Sequence, residues 1–289
     1  MTFHILMIIS MITWGGSWVS AKIVAQQLSP ELLSFWRLLI STLTFIPLMF
    51  IMPRPFSITR KGMAYSIAGG ALMSVYMFLF FKGLEHWLAG FASVFINSTI
   101  PLVTLFLSLL IFRKKPTFSE ITGLILGLSG AVILLRLWTL DFSLFLDSST
   151  LILITCPLIW ATITVCSQRA TMSTSSYAFS FITFAFSTIF FLPLALTDDI
   201  FIIFTRGAVF WFNLVYLAVI AGTIATTIYF IAAEKLGSYH ASSYIFLVPL
   251  TALILSWIFL GEVPEVSTLI GGIIAVFAVY MINRRGPGA

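Results

Sequence analysis

The sequence predicts an all-α polytopic membrane protein with ten transmembrane helices, arranged as two inverted five-helix repeats. Three observations lead to this fold class. Of 289 residues, 60% are hydrophobic and 9% charged, against about 45–50% and 25% in soluble domains. Apolar runs of about 18 residues or more recur along the chain, separated by short polar segments. Finally, residues 101–127 align without a gap on residues 249–275, which indicates an internal repeat.

The repeat extends over both halves of the chain. At an offset of 148 residues, nine positions of these two runs are identical, where roughly two would match by chance in so apolar a chain. An offset of 146 aligns Trp14 with Trp160, Ser41 with Ser187, Thr42 with Thr188, Phe45 with Phe191 and Pro47 with Pro193. An offset of 152 aligns Gly70 with Gly222, Phe78 with Phe230 and Leu84 with Leu236.

Ten apolar spans are predicted, at about 3–24, 31–51, 62–83, 88–111, 120–138, 150–168, 175–196, 208–233, 239–260 and 266–283. Each is close to the roughly 20 residues that a helix needs to cross a bilayer core. The first has no basic residue before Lys22, so we interpret it as a retained span and not as a cleaved signal. The loop at 139–149 is the expected boundary between a first repeat at 1–141 and a second at 147–285.

Lys and Arg are distributed unequally between the two sets of loops, and this bias predicts the orientation. With the N-terminus inside, the cytoplasmic segments carry Arg54, Arg60, Lys61, Arg113, Lys114, Lys115, Arg169, Lys235, Arg284 and Arg285. The opposite segments carry only Lys22, Lys82, Arg136 and Arg206. Both termini are therefore expected in the cytoplasm, with the spans in a bacterial inner membrane. The net charge of +5 reflects this bias and does not indicate a nucleic-acid partner.

Five helices per repeat is an odd number, so the second repeat must enter the membrane in the opposite orientation to the first. Inverted repeats of this kind place a pseudo-two-fold axis in the membrane plane. They also place the binding site near the midplane, between the two halves. We therefore expect functional side chains where the two repeats face each other.

Several short motifs occur in a specific order and spacing: Trp14-Gly15, Arg37, the run from Leu84 to Pro101, Leu236-Gly237, Ser242-Ser243, Pro249-Leu250 and Leu260-Gly261-Glu262. In this order the chain resembles the EamA-type transporters of the drug/metabolite transporter superfamily, over essentially its full length. The first repeat departs from the pattern, because Phe112-Arg113-Lys114 stands where Leu-Gly-Glu ends the ninth span. The resemblance implies a transporter of small metabolites, often an exporter, and leaves the substrate open.

Polar side chains recur at steps of three and four in six predicted spans, which places them on one face of each helix. Small and hydroxyl residues also pack membrane helices closely, so each Ser or Thr is open to a packing interpretation. Because the stripes occur in matched pairs of helices, we expect a shared polar-lined cavity. The candidate substrate-binding residues are Trp14, Ser17, Arg37, Ser41, Ser74, Asn97, Trp160, Thr164, Thr183, Tyr229 and Tyr244.

Arg37 is the formal charge that lies clearly inside a predicted span. One interpretation is an Arg whose head reaches back to the lipid headgroups. The other is a partner outside the chain, a carboxylate or phosphate on the substrate. Its counterpart in the second repeat is Thr183, and the predicted spans offer no buried Asp or Glu to pair with it. The second interpretation disfavours a cationic substrate.

Pro101 and Pro249 occupy equivalent positions near the middle of the fourth and ninth spans. A proline inside a helix removes a backbone donor and kinks the helix. The pair is interpreted either as two hinges for alternating access or as static kinks. Small residues in the fifth and tenth spans indicate either packing between these two spans or a dimer face, so monomer and homodimer both stay open.

The predicted function is a secondary transporter for an amino-acid-like or other neutral or anionic solute, with export as the expected direction. A passive channel is one alternative. An intramembrane enzyme is another, although no His lies mid-span to act as a base and no HExxH motif is present. Without a Walker motif, ATP is not expected as the direct energy source, and no cofactor or metal site is predicted. His4, His86 and His240 lie at span ends, so proton coupling is left open.

Overall fold

The computed structural model describes residues 2–51, 56–113, 116–139, 148–261, 263 and 266–283. The loop at 140–147 and Glu262 of the Leu-Gly-Glu motif lie outside these ranges. So do five of the basic residues that predict the orientation: Arg54, Lys114, Lys115, Arg284 and Arg285.

The described residues form ten long helices and no strand. The helices are α1 (Thr2–Ala25), α2 (Pro30–Ile51), α3 (Arg60–His86), α4 (Ala89–Phe112), α5 (Phe118–Leu135), α6 (Ser148–Thr171), α7 (Ser176–Ala195), α8 (Ala208–Leu236), α9 (Ser238–Leu260) and α10 (Val266–Asn283). Helices α1 to α9 are long and apolar enough to cross a membrane. With the 18 residues of α10, the prediction of an all-helical, multi-span membrane protein is confirmed.

Two of the long helices depart from regular α geometry in their middle. In α8 the segment Tyr216–Ala225 is a π-helix, and in α9 the segment Tyr244–Leu247 is a 3₁₀-helix. Pro249 follows this 3₁₀ segment at the start of the second α-helical part of α9. Pro101, by contrast, lies inside the continuous α-helix α4. The two prolines therefore sit in different backbone surroundings. A short 3₁₀ stretch at Ile200–Thr205, between α7 and α8, was also not predicted.

Contacts between helix ends define two opposite ends of the bundle. The first is the end at which α1 begins, and we call it the α1 end. There Ser119 on α5 donates to the Met281 carbonyl on α10 (2.7 Å), and Arg169 on α6 donates to the Ile111 carbonyl on α4 (2.8 Å). At the second, the Trp36 indole on α2 donates to the Ile200 carbonyl (3.1 Å). Successive helices thus run in alternating directions, as short connections require.

Glycines let α5 and α10 approach closely. A Cβ added to Gly130 would lie 2.9 Å from the Gly271 carbonyl oxygen, and one added to Gly271 would lie 2.7 Å from that of Gly130. A Cβ on Gly123 would lie 2.5 Å from the Ile282 side chain. Such backbone proximity is typical of small residues between membrane helices. Of the two interpretations of these glycines, packing between the fifth and tenth spans is therefore the one the structure supports.

Candidate functional site

A small cavity of about 40 Å³ lies between the two halves of the chain. Its walls come from α1, α2, α3 and α4 in the first half and from α6, α7 and α8 in the second. The lining residues are Trp14, Ser17, Trp18, Arg37, Met73, Tyr76, Met77, Phe80, Asn97, Ile100, Trp160, Phe184, Gly222 and Thr226. We call it the central cavity. Its volume suits about three water molecules, far below the roughly 300 Å³ or more of a typical ligand pocket, so a ligand requires the helices to separate.

Arg37 brings a positive charge into the central cavity. The residue is 8% exposed, and its guanidinium carbon lies 5.5 Å from the Phe80 ring centre and 5.8 Å from that of Phe81. Its Nη1 is buried without a hydrogen-bond partner in the described part of the chain. The residues lining the cavity include no Asp or Glu. The head of Arg37 therefore points into the bundle and not toward lipid headgroups, and it has donors to offer to an anion.

Two tryptophans from equivalent positions meet across the cavity. The Trp14 and Trp160 rings contact edge to face, with centroids 5.2 Å apart. The ring centroid of Tyr76 lies 4.9 Å from that of Trp160, and the ring centroid of Tyr229 lies 5.0 Å from that of Trp14. Edge-to-face aromatic pairs contribute about 0.5–1.5 kcal/mol beyond the area that they bury. These rings form a contact between the halves that also closes the cavity.

The Trp14 indole also binds the irregular part of α8. Its Nε1 donates to the Ala221 carbonyl within the π-helix (3.1 Å), and Ser41 Oγ on α2 donates to the Ala218 carbonyl (2.8 Å). A Cβ on the neighbouring Gly222 would lie 2.8 Å from Ser41 Oγ, so the absence of a side chain there allows α2 to approach. Side chains of the first half thus hold backbone groups of α8 where it departs from α geometry, beside the cavity.

Five of the eleven candidate residues line the central cavity: Trp14, Ser17, Arg37, Asn97 and Trp160. The Ser17 hydroxyl donates to the Trp14 carbonyl (2.7 Å). Asn97 Nδ2 donates to the carbonyl and hydroxyl of Ser93 (2.9 and 3.2 Å). Because the amide nitrogen of Asn97 is thus engaged within its own helix, its oxygen is the atom left to accept a bond from a ligand.

The other six candidates lie behind the lining or away from it. Ser41 and Thr183 donate to carbonyls of neighbouring helices, and Ser74 donates to Gly70 of its own helix. Thr164 and Tyr229 bond each other (2.9 Å), directly behind the two tryptophans. Tyr244 Oη is hydrogen-bonded to His4 Nδ1 on α1. Direct contact of these six with substrate stays a prediction.

The cavity also contains residues that are absent from the candidate set, chiefly Trp18, Tyr76, Phe80 and Thr226. Thr226 was predictable, because it follows Gly222 by four residues on the polar face of its helix. Phe80 could not be predicted from the sequence, because nothing distinguishes it among the 29 Phe of the chain. Its importance comes from the Arg37 guanidinium above its ring, a contact between two helices.

A second cavity, of about 220 Å³, lies at the α1 end between α4, α5, α6, α8 and α9. Its polar lining residues are Ser108, Glu120, Gln168, Glu234, Lys235, Ser238, Tyr239 and His240. Glu120 Oε1 and His240 Nε2 lie 3.0 Å apart there, and the two side chains are 8% and 6% exposed. The sequence does not indicate this pairing, because each residue stands at the start of its own span. We call this the end cavity.

Comparison with known proteins identifies a family. The model of the EamA-like transporter family matches this chain twice, over residues 1–136 and 148–284. An uncharacterized transporter of Archaeoglobus fulgidus is 27% identical, with the alignment covering 98% of this chain and 97% of the relative. The relative named "Probable terminal-alkyne amino-acid exporter", from Streptantibioticus cattleyicolor, is 24% identical over 98% of this chain and 93% of its own length.

A solved crystal structure has the same fold. It superposes with a TM-score of 0.77, covering 98% of this chain and 97% of that chain, at 15% sequence identity. At that identity the likeness concerns the path of the backbone alone. The helices described above therefore form an arrangement that also occurs in an experimentally determined structure.

Proposed function

The chain belongs to the EamA-like transporter family, and on that premise we propose that it is a secondary transporter that exports a small carboxylate-bearing metabolite, such as an amino acid. It is a multi-pass membrane protein, and its relatives are named as transporters, which points away from an enzyme. The substrate class and the direction are our inference. The proposed route is the central cavity, opened in turn to each side of the membrane.

The observation that carries the substrate class is Nη1 of Arg37, which is buried without a hydrogen-bond partner in the described part of the chain. A cation at the centre of a membrane helix costs about 2.5–3.5 kcal/mol on insertion scales, and such residues mark substrate or ion pathways. The rings of Phe80 and Phe81 offset part of that cost. They leave Nη1, which has no partner among the described residues, as a donor for a carboxylate, and the planar guanidinium suits a bidentate geometry. Thr183 holds the equivalent position in the second half, so the repeated fold does not itself require this charge.

Matched contacts, one pair between the halves and one pair within them, support alternating access of inverted repeats. Ser41 donates to a carbonyl of α8 (2.8 Å), and its counterpart Ser187 donates to the Gly70 carbonyl of α3, the counterpart of α8 (2.8 Å). Lys22 bonds the Trp87 carbonyl at the turn between α3 and α4 (3.0 Å), and its counterpart Gln168 accepts from Ser238 N at the turn between α8 and α9 (2.9 Å). Equivalent residues of the two halves thus make related contacts. We propose two five-helix units, 1–141 and 147–285, that rock against each other.

We further propose that the protein lies in the bacterial inner membrane with both termini in the cytoplasm. The basis is the excess of Lys and Arg in the loops of the α1 end. Export is the direction that we propose because a relative covering nearly all of the chain is named as an amino-acid exporter. In this orientation the end cavity faces the cytoplasm, where an exported metabolite enters.

Binding and transport are tested with the purified protein. A thermal-shift panel of L-amino acids, each beside its own amide, asks whether a carboxylate is required for binding. We expect stabilisation by at least one amino acid and none by its amide. Counterflow in proteoliposomes then separates a carrier from a channel, because only a carrier accumulates labelled solute transiently against unlabelled solute inside. Equal stabilisation by acid and amide would contradict the proposed role of the carboxylate.

A further inference from the structure

The Glu120–His240 pair joins the two halves in the wall of the end cavity. Glu120 begins α5, and its Oε2 accepts from Thr117 N in a capping box that fixes the carboxylate. Its Oε1 meets Nε2 of His240, in the first turn of α9, at 3.0 Å. Two further contacts lie beside the pair: Tyr239 Oη donates to the Glu120 carbonyl (3.0 Å), and the hydroxyls of Ser108 and Ser238 are 2.9 Å apart. The first turn of α9 is thus held to α4 and α5 across the boundary between the repeats.

Packing does not require this pair. Under the 148-residue offset, Glu120 corresponds to Thr268 and His240 corresponds to Ala92, so the equivalent position at the other end of the bundle has no acid and no base. A buried ion pair is often no more stabilising than apolar residues of similar volume. Ionisable groups inside membrane proteins are expensive and mark functional sites. The pair is therefore specific to the end where the larger cavity lies.

From these observations we propose that Glu120 and His240 form a proton-binding latch that controls access to the central cavity from the α1 end, an inference that rests on the transport function proposed above. Histidine is the side chain whose unperturbed charge change falls between about pH 5 and 8. A proton from water in the end cavity binds the imidazole and leaves Glu120 as a carboxylate. Protonation therefore adds an attraction between two opposite charges to a hydrogen bond that the carboxylate already accepts from the imidazole.

Proton binding thus holds the halves together, and proton release lets them separate. Other polar and charged groups line the end cavity with the pair: Ser108 on α4, Gln168 on α6, Glu234 and Lys235 on α8, and Tyr239 on α9. On α10, Asn283 donates to the Ser243 hydroxyl (2.7 Å). Lys235 Nζ lies 5.1 Å from the Phe3 ring centre, and Glu234 accepts from the Ser176 hydroxyl. Both are thereby engaged with other helices. His240 is the histidine of this set, the residue type whose unperturbed charge change falls near neutral pH.

The test measures how readily a thiol in the end cavity reacts as pH changes, with no substrate present. In the full-length protein with Cys156 and Cys166 replaced by Ala, we place the reporter as Leu236→Cys, on the cavity wall. Met172→Cys is the matched control, since Met172 is 72% exposed at the same end of the bundle. The ratio of their labelling rates by a maleimide removes the pH dependence of the thiol itself.

We expect this ratio of labelling rates to rise about fivefold between about pH 5 and 8. A fivefold change corresponds to a free-energy difference of about 1 kcal/mol. Glu120→Gln removes the charge but keeps a side chain that the capping box accepts, and it should make the ratio independent of pH. His240→Gln, as a second and independent variant, should do the same. Glu85→Gln, at the exposed Lys82–Glu85 pair of α3, should leave the rise unchanged.

Two outcomes would overturn the latch. One is a labelling ratio that does not change with pH in the parent protein. The other is a rise in Glu120→Gln and in His240→Gln that equals the rise in the parent. Because no substrate is present, either outcome leaves the transport proposal standing if counterflow persists. Conversely, a pH-dependent ratio without counterflow of any amino acid would contradict the transport proposal and leave the proton site standing. The two failures are therefore distinguishable.

Discussion

Replacing Arg37 should have opposite effects on ligand binding and on the stability of the ligand-free protein. Removing one partner of a buried charged pair costs about 2–5 kcal/mol in binding. At about 1.4 kcal/mol per factor of ten, Arg37→Gln should weaken a carboxylate ligand about 30-fold or more. Arg37→Lys keeps the charge but loses the planar pair of donors, so we expect a smaller loss of about tenfold, the value of one charge-assisted hydrogen bond.

The ligand-free Arg37→Gln protein should be at least as stable as the parent. The substitution removes a buried cation whose Nη1 has no hydrogen-bond partner among the described residues. Burial of such a cation costs about 2.5–3.5 kcal/mol at the membrane centre. It gives up two ring contacts, at 5.5 and 5.8 Å, worth about 0.5–1 kcal/mol each. A residue that only holds the helices together would show the reverse pattern, with lower stability and unchanged binding.

The assay is a thermal-shift titration of parent, Arg37→Gln and Arg37→Lys proteins with the amino acid found in the panel. Lys82→Gln is the matched control, because Lys82 is a cation on α3 whose side chain is 43% exposed. We expect this control to bind like the parent. Binding of the carboxylate by Arg37→Gln with parent affinity would refute the reasoning and remove Arg37 from the substrate site.

Three further predictions concern packing, the prolines and orientation. Gly130→Ala should lower the thermal midpoint, by about 1–3 kcal/mol in stability, because its Cβ would lie 2.9 Å from the Gly271 carbonyl. Gly207→Ala, whose Cβ would have nothing within 4 Å, should leave the midpoint unchanged. Equal midpoints of the two variants would contradict the packing of α5 on α10. Pro101→Ala and Pro249→Ala each restore a backbone donor and should slow counterflow without changing insertion into the membrane. If both variants show the counterflow rate of the parent, the prolines are static kinks and not hinges. In intact cells, a membrane-impermeant thiol reagent should label Thr197→Cys and not Met172→Cys, and the reverse pattern would invert the proposed orientation.

The sequence was sufficient to predict the number and approximate bounds of the long helices. Hydropathy over about 20 residues is a local property, and the bilayer forces backbone groups to pair within each span. The irregular segments Tyr216–Ala225 and Tyr244–Leu247 could not be predicted in this way. In the first of them, carbonyls accept bonds from Trp14 and Ser41, which are far away in sequence.

The candidate site was predictable only in part, for a related reason. Helical periodicity shows which residues share a face but not which helix that face meets. Trp14, Arg37 and Trp160 line the cavity, whereas Ser41 and Thr183 face neighbouring helices and bond their carbonyls. Likewise Glu120 has the sequence pattern of a helix cap. Its pairing with His240 depends on how α5 and α9 meet in three dimensions.

Counterflow in proteoliposomes is the measurement that tests the central claim most directly. Vesicles containing the purified protein are loaded with an unlabelled amino acid and diluted into a trace of the same labelled compound. If the protein is a carrier that binds carboxylates through Arg37, the label should accumulate transiently above equilibrium in the parent and not in Arg37→Gln. Uptake that does not saturate, without transient accumulation and equal in both proteins, would contradict the account.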